Sequence, residues 1–334
     1  MSIPRTLATI VAAVALATGA TLAAAADQVK IAMVVKSLGN GFFDAAHEGG
    51  KAAAKELGDV ELIYTGPTAP TAEAQIEVIN SLISQKVDAL VISANDKDAL
   101  VPIAKRAMQR GIKVISFDSG IAPAGRQMQL NPSNNALIGT KLVQMASDAA
   151  GGAGEIAILS ATAQATNQNI WIGEMKKVLA QPEHAKLKLV NVVYGDDQSD
   201  KSYREALGLL RSNPNLKVIV APTTVGIVAS AKAVADEKLI GKVYVTGLGL
   251  PSEMAGHVKS GAVKSFAIWN PIDLGYTAVY LAHAAVKGQA TGKEGEQIAA
   301  GRMGKVTMEK DGEAAMAPPF TYNAGNVDKF AKIF

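Results

Sequence analysis

From Val29 onward, short β-branched runs alternate with longer segments whose apolar residues recur at helical spacing, and no hairpin signal interrupts them. Val29–Val35 reads as a strand, and Phe43, Ala46, Gly50, Ala53 and Leu57 then share one helical face. Glu61–Tyr64, Ala89–Ser93 and Lys113–Phe117 read as further strands. Thr71 is placed to cap one intervening helix, Asp98 to start the next and Gly111 to end it. A break containing Pro123, Gly125 and Pro132 spans Ile121–Asn135, and then the pattern restarts. Strands are expected at Glu155–Leu159, Lys188–Val193, Lys217–Val220, Lys242–Thr246 and Val263–Trp269, with a helix from Asp273 to about Lys287. The tail, with Gly301, Gly304, Gly312, Pro318 and Pro319, reads as loops and short strands. Strand–helix repetition without hairpins makes parallel sheets covered on both faces. The expected fold class is therefore α/β, with two doubly wound parallel-sheet lobes.

Upstream of this pattern, Arg5 is followed by an uncharged stretch from Leu7 to Leu22 and by Ala23–Ala26, before Asp27. A basic start, an apolar run and small residues at its end are the marks of a cleaved secretory leader, here residues 1–26. The remaining chain, about 300 residues, exceeds what one hydrophobic core holds and suits two lobes. With 33 Lys+Arg against 30 Asp+Glu, there is no charge excess to hold nucleic acid. The absence of cysteine excludes a disulfide framework, a thiolate metal site and a cysteine nucleophile.

Ligands of open parallel sheets sit beyond the carboxyl ends of the strands, where loops and helix starts converge. In the first half those ends carry Lys36, Asn40, Phe42 and Phe43, the stretch 95–98, and Asp118. In the second half they carry Asn167 and Gln168, the segment 195–197, Pro222 to Thr224, the segment 247–252, and finally Trp269 and Asn270. Amides and hydroxyls with aromatic faces suit a polyol, whose hydroxyls need hydrogen bonds and whose C–H faces need apolar cover. Lys36 and Asp118, if both face the cleft, neutralise one another and favour an uncharged ligand; the arginines that a carboxylate or phosphate ligand calls for are missing. Phe42 and Phe43 are adjacent on a helix, so one is expected in the core and one in the cleft. Trp269 as core, Asp118 as a turn acid, Lys36 as a solvated charge and the 166–169 amides as an ordinary polar loop are the plainer readings.

Catalytic patterns are weak. Gly39 and Gly41 lack the third glycine of a dinucleotide fingerprint, since Asp44 stands there, and Gly247 and Gly249 end in Ser252. His47, His184, His257 and His283 are scattered away from strand ends, so neither a metal nor a cofactor is expected. Asp196, Asp197 and Asp200 lack the spacing of a calcium loop and read as a solvated helix start. A sugar-converting enzyme would need a base or nucleophile beside its substrate, and none is apparent.

The stretches Lys36–Phe43 and Val114–Ser119 resemble the type I periplasmic solute-binding proteins of the ribose-binding class. Ala165–Trp171, Val193–Asp197, Ala221–Gly226, Thr246–Met254 and Trp269–Gly275 are similar to one branch of it, the rhamnose-binding and autoinducer-2-binding receptors. That resemblance implies the type I periplasmic binding protein fold, with a multi-strand hinge joining a first lobe of residues 27–129 plus 271–303 to a second of 132–268 plus 304–334. It implies capture of a small neutral sugar, or autoinducer-2, by hinge closure in the periplasm, without catalysis. Delivery would be to an ABC permease at the inner membrane or a chemoreceptor. By position, the branch implies ligand contacts from Lys36, Asp118, Asn167, Gln168, Pro222 and Thr224, and ribose-type members add Asn40, Phe42, Phe43 and Trp269. Autoinducer-2 receptors typically carry Asp at the position of Asn167 and Ala at that of Thr224. The amide changes which hydroxyl arrangement is satisfied and moves the expectation toward a deoxyhexose such as rhamnose. A lactose-repressor-type regulator shares the core fold, but it would need a DNA-binding module where the leader stands.

Overall fold

The computed structural model describes residues 28–334; the leader reading of residues 1–26 lies outside them. The first half builds β1 (Val29–Val34), α1 (Gly41–Leu57), β2 (Val60–Thr65), α2 (Ala72–Ser84), β3 (Ala89–Ile92), α3 (Val101–Gln109), β4 (Lys113–Phe117) and β5 (Met128–Asn131). The second builds α4 (Asn135–Ala150), β6 (Gly154–Ser160), α5 (Thr166–Leu179), β7 (Leu187–Tyr194), α6 (Ser199–Ser212), β8 (Leu216–Ala221), α7 (Thr224–Asp236), β9 (Tyr244–Gly247), α8 (Pro251–Lys259) and β10 (Ser265–Ile268). The chain ends with α9 (Pro271–Val286), β11 (Gln297–Ala299), β12 (Lys305–Thr307), β13 (Glu313–Ala315), β14 (Phe320–Asn323) and α10 (Val327–Phe330).

The first sheet runs β13-β5-β4-β3-β1-β2 with every neighbouring pair parallel. Alternation along its strands separates two apolar layers. Ile31, Met33, Val91 and Ile115 pack on the side of α1, while Ala32, Val34, Leu90 and Ile92 pack with Ile79 of α2 and Ile103 of α3. Strands buried on both faces read as continuous apolar runs, which is why they stood out in the sequence.

The second sheet repeats the plan as β7-β6-β8-β9, all parallel. Isolated bridges Val245 to Val263 and Leu248 to Ala267 lay β10 beside β9, and β14 pairs antiparallel with β10. The chain passes between the two sheets after β5, after β10 and after β13.

Three local expectations are corrected. Asp98 does not start α3: the Asp96 carboxylate accepts from the N–H groups of Asp98 and Ala99, and the helix begins at Val101 with Pro102 in its first turn. The break at 121–135 hides β5. The resemblance places the whole segment from 304 in the second lobe, but β12 pairs with β11 and β13 adds to the edge of the first sheet beside β5, so the last crossing falls between Ala315 and Phe320. Backbone pairing at a sheet edge needs only a few residues, and β13 is too short to show a period.

Candidate functional site

The carboxyl ends of both sheets face one another across a cavity lined by residues of both lobes. Lys36 follows β1 directly. Asn40 caps α1, its Oδ1 accepting from the N–H of Phe42 at 3.0 Å, and so sets the turn that swings Phe42 and Phe43 into place. Asp118 ends β4 in a left-handed backbone conformation, φ +56°, which an aspartate tolerates better than most residues. Its side chain is buried.

Asn167 sits in the first turn of α5, on the opposite lobe, and joins this pair. Lys36 Nζ donates to Asn167 Oδ1 at 3.0 Å, and Asn167 Nδ2 donates to Asp118 Oδ1 at 2.9 Å. Asp118 Oδ2 accepts from the Ser93 hydroxyl at 2.9 Å, whereas Lys36 Nζ comes no nearer to it than 4.0 Å. The lysine and the aspartate are thus linked chiefly through the amide between them. Thr224, at the start of α7, donates to Asn40 across the same gap at 3.4 Å. These bonds hold the two lobes together around the cavity.

Gln168 points its oxygen away from Lys36: Oε1 accepts from the Ser160 hydroxyl at 2.9 Å and the Ala161 N–H at 2.8 Å. Pro222 and Thr223 follow β8. The apolar wall is aromatic and meets edge to face, with Phe42 at 5.2 Å from Phe43 and 6.2 Å from Trp269, and Trp171 at 5.5 Å from Trp269. The chain has two tryptophans, and both line the cavity.

Of the residues singled out in the sequence, Lys36, Asn40, Phe42, Phe43, Asp118, Asn167, Gln168, Pro222, Thr224 and Trp269 line this cavity. Asn270 does not. It caps α9, its Oδ1 accepting from the Ile272 N–H at 3.0 Å and its Nδ2 bonding Asp273 at 2.8 Å. The split expected of Phe42 and Phe43 is also corrected, since both are buried and both reach the cavity.

Trp171 and Ile268 also line the cavity and lie outside the strand-end stretches picked out in the sequence, whereas Thr223, Leu248 and Asp197 fall within those stretches without standing out as contacts. Asp197, which in sequence resembles part of a solvated helix start, faces the cavity, and its Oδ1 accepts from the buried Thr223 hydroxyl. Its place at the carboxyl end of β7 was the available signal. Burial pushes the carboxyls of both Asp118 and Asp197 above the usual carboxylate range. Lys36 pulls each back down, aided by Ser93 and Asn167 for Asp118 and by Thr223 for Asp197. The Ser93 and Thr223 hydroxyls donate to Asp118 and Asp197, anchoring the two carboxyls.

Residues 31–290 match the family model described as the periplasmic binding protein domain. The D-ribose/D-allose-binding protein of Pseudomonas aeruginosa is 29% identical over 252 residues, covering 72% of this chain and 77% of its own length. An ABC transporter solute-binding protein from Clostridium phytofermentas, solved with bound L-rhamnose, superposes with a TM-score of 0.88 at 39% identity, over 92% of this chain and 99% of that one. LsrB from Clostridium saccharobutylicum, in complex with AI-2, shares the fold at a TM-score of 0.86 and 21% identity, over 90% of this chain and 99% of its own. The chain belongs to the periplasmic binding protein domain family and is a binding protein, not an enzyme.

Proposed function

We propose that this protein captures a neutral sugar for an ABC importer, with a deoxyhexose such as L-rhamnose as its ligand. The observation that carries the reading is the cavity itself: three aromatic side chains from one lobe and its junction, and a fourth from the other, form an apolar wall opposite Lys36, Asp118, Asn167 and Gln168. An aromatic wall covers the C–H face and methyl group of a deoxysugar, while the polar side meets its hydroxyls. The 39% identity to the protein solved with L-rhamnose supports the same ligand class. The amide at Asn167, bonded to both Lys36 and Asp118, favours a sugar over autoinducer-2.

Capture works by hinge closure. An open form admits the sugar, and contacts from both lobes to the same molecule then stabilise the closed form, because only a ligand with greater affinity for that form shifts the equilibrium. The leader read from residues 1–26 would bring the mature chain to the periplasm, and the closed lobes would dock on the permease or signal to a chemoreceptor.

A melting-temperature panel of L-rhamnose, other deoxyhexoses, D-ribose, D-allose, D-arabinose and autoinducer-2 tests the ligand. At a concentration about 100 times Kd, linkage adds about 2.7 kcal/mol to stability, a shift of several degrees. L-Rhamnose is expected to give the largest shift and to change the emission of Trp171 and Trp269. A larger shift with autoinducer-2 replaces the ligand, and turnover of any sugar removes the binding-only reading.

A further inference from the structure

A polyol in a dry cavity needs donors for its oxygens and acceptors for its O–H protons. Donors are plentiful. Lys36 Nζ has hydrogens beyond the one given to Asn167, and the amide NH2 groups of Asn40 and Gln168 have no acceptor among the described residues. The amide oxygens are already engaged: Asn40 Oδ1 by the Phe42 N–H, Asn167 Oδ1 by Lys36 and the Gln168 N–H, and Gln168 Oε1 by Ser160 and Ala161. The charged acceptors of the cavity are the two carboxylates, whose hydrogen bonds are the stronger ones. Asp118 already has a protein donor on each oxygen, from Asn167 and Ser93. Asp197 has one on Oδ1, from Thr223, and no donor among the described residues reaches its Oδ2.

The backbone is built to present this group. Asp196 and Asp197 take consecutive left-handed conformations, φ +53° and +49°, which side-chain-bearing residues rarely adopt in succession. The preceding Gly195 lies so close to α6 that a Cβ there would come within 2.1 Å of Ser202 Oγ. Asp196 turns instead toward Lys201, 2.5 Å away.

We propose that Asp197 is the second lobe's hydroxyl acceptor and a specificity-determining residue: it takes a hydrogen bond from one ligand hydroxyl and, opposite Asp118 of the first lobe, selects the stereochemistry that reaches both. This rests on the sugar reading above.

Isothermal titration of wild type, Asp197→Asn, Asp197→Ala and Asp196→Asn with L-rhamnose and its monodeoxy analogues tests it. Losing a charged acceptor should weaken L-rhamnose about 10- to 100-fold in both Asp197 variants and leave Asp196→Asn at the wild-type value. One monodeoxy analogue should bind wild type more weakly by a similar factor, yet bind Asp197→Asn as well as L-rhamnose does, which identifies the hydroxyl. If circular dichroism shows that either Asp197 variant is misfolded, Thr223→Val, which keeps the carboxylate but removes its anchor, should still weaken binding. An Asp197→Asn protein within about twofold of wild type, less than about 0.4 kcal/mol, overturns the assignment of Asp197 and leaves the sugar reading standing. A wild type that binds no sugar of the panel overturns both. If the panel selects another sugar, the same four proteins are titrated with that sugar and its deoxy analogues.

Discussion

Lys36, Asp118 and Asn167 are three buried polar residues, two from one lobe and one from the other, and each is useful only while the others are present. Removing one member of a buried charged set strands the rest, which costs about 3–5 kcal/mol, whereas replacing the pair by apolar groups is often neutral. Asp118→Ala is therefore expected to lower the melting temperature of the empty protein and to abolish its response to L-rhamnose. Lys36→Met combined with Asp118→Leu should restore most of that melting temperature without restoring the response, as read by thermal unfolding with and without sugar. An Asp118→Ala protein that still responds fully would remove Asp118 from the site. Much of the cavity could be read from the sequence because its residues follow strand ends. Asp197 lies in one of those strand-end segments, but Asp196 and Asp200 beside it give the look of a solvated acidic turn. Asn270 was misjudged because a helix cap and a cleft amide look alike in sequence.

At the scale of elements, α1 and α9 are held in such close contact that each contributes a glycine to the crossing. A Cβ at Gly49 would lie 1.8 Å from the Ile272 carbonyl oxygen, and one at Gly275 would lie 1.9 Å from that of Ala46. The neighbour in each case is backbone and cannot swing aside. Gly49→Ala and Gly275→Ala are each expected to destabilise the protein by at least about 1–3 kcal/mol in urea unfolding. Gly208, exposed within α6 with nothing near a built Cβ, is the contrast: Gly208→Ala should stabilise by about 0.4–1 kcal/mol. Equal effects at the three sites would contradict this account of the crossing. Glycines such as these mark close helix approach, but in sequence they resemble helix weaknesses. The strands buried on both faces were legible as apolar runs. β5 and β13 were not, because their four and three residues are too short to show a period.

For the whole molecule, the same burial that shapes the site makes lobe closure sensitive to protons. In this structure burial disfavours the charged forms of Asp118 and Asp197. Opening the lobes would relieve that burial, so the closed, sugar-free protein is expected to bind protons more tightly than the open one. By linkage, the closed form gains as pH falls toward that range and loses as pH rises through the raised values of the closed state. A bound sugar acts in the opposite direction, because hydroxyls donated to the carboxylates stabilise their ionised forms and satisfy the groups that burial leaves wanting. Small-angle X-ray scattering at about pH 7.5 and about pH 5, with and without saturating L-rhamnose, separates the two effects. The radius of gyration of the empty protein is expected to fall on acidification, while that of the saturated protein is already small and stays constant. Asp118→Asn together with Asp197→Asn should flatten the response of the empty protein. An empty wild type whose radius is unchanged or larger at the lower pH would mean that these carboxyls do not govern closure.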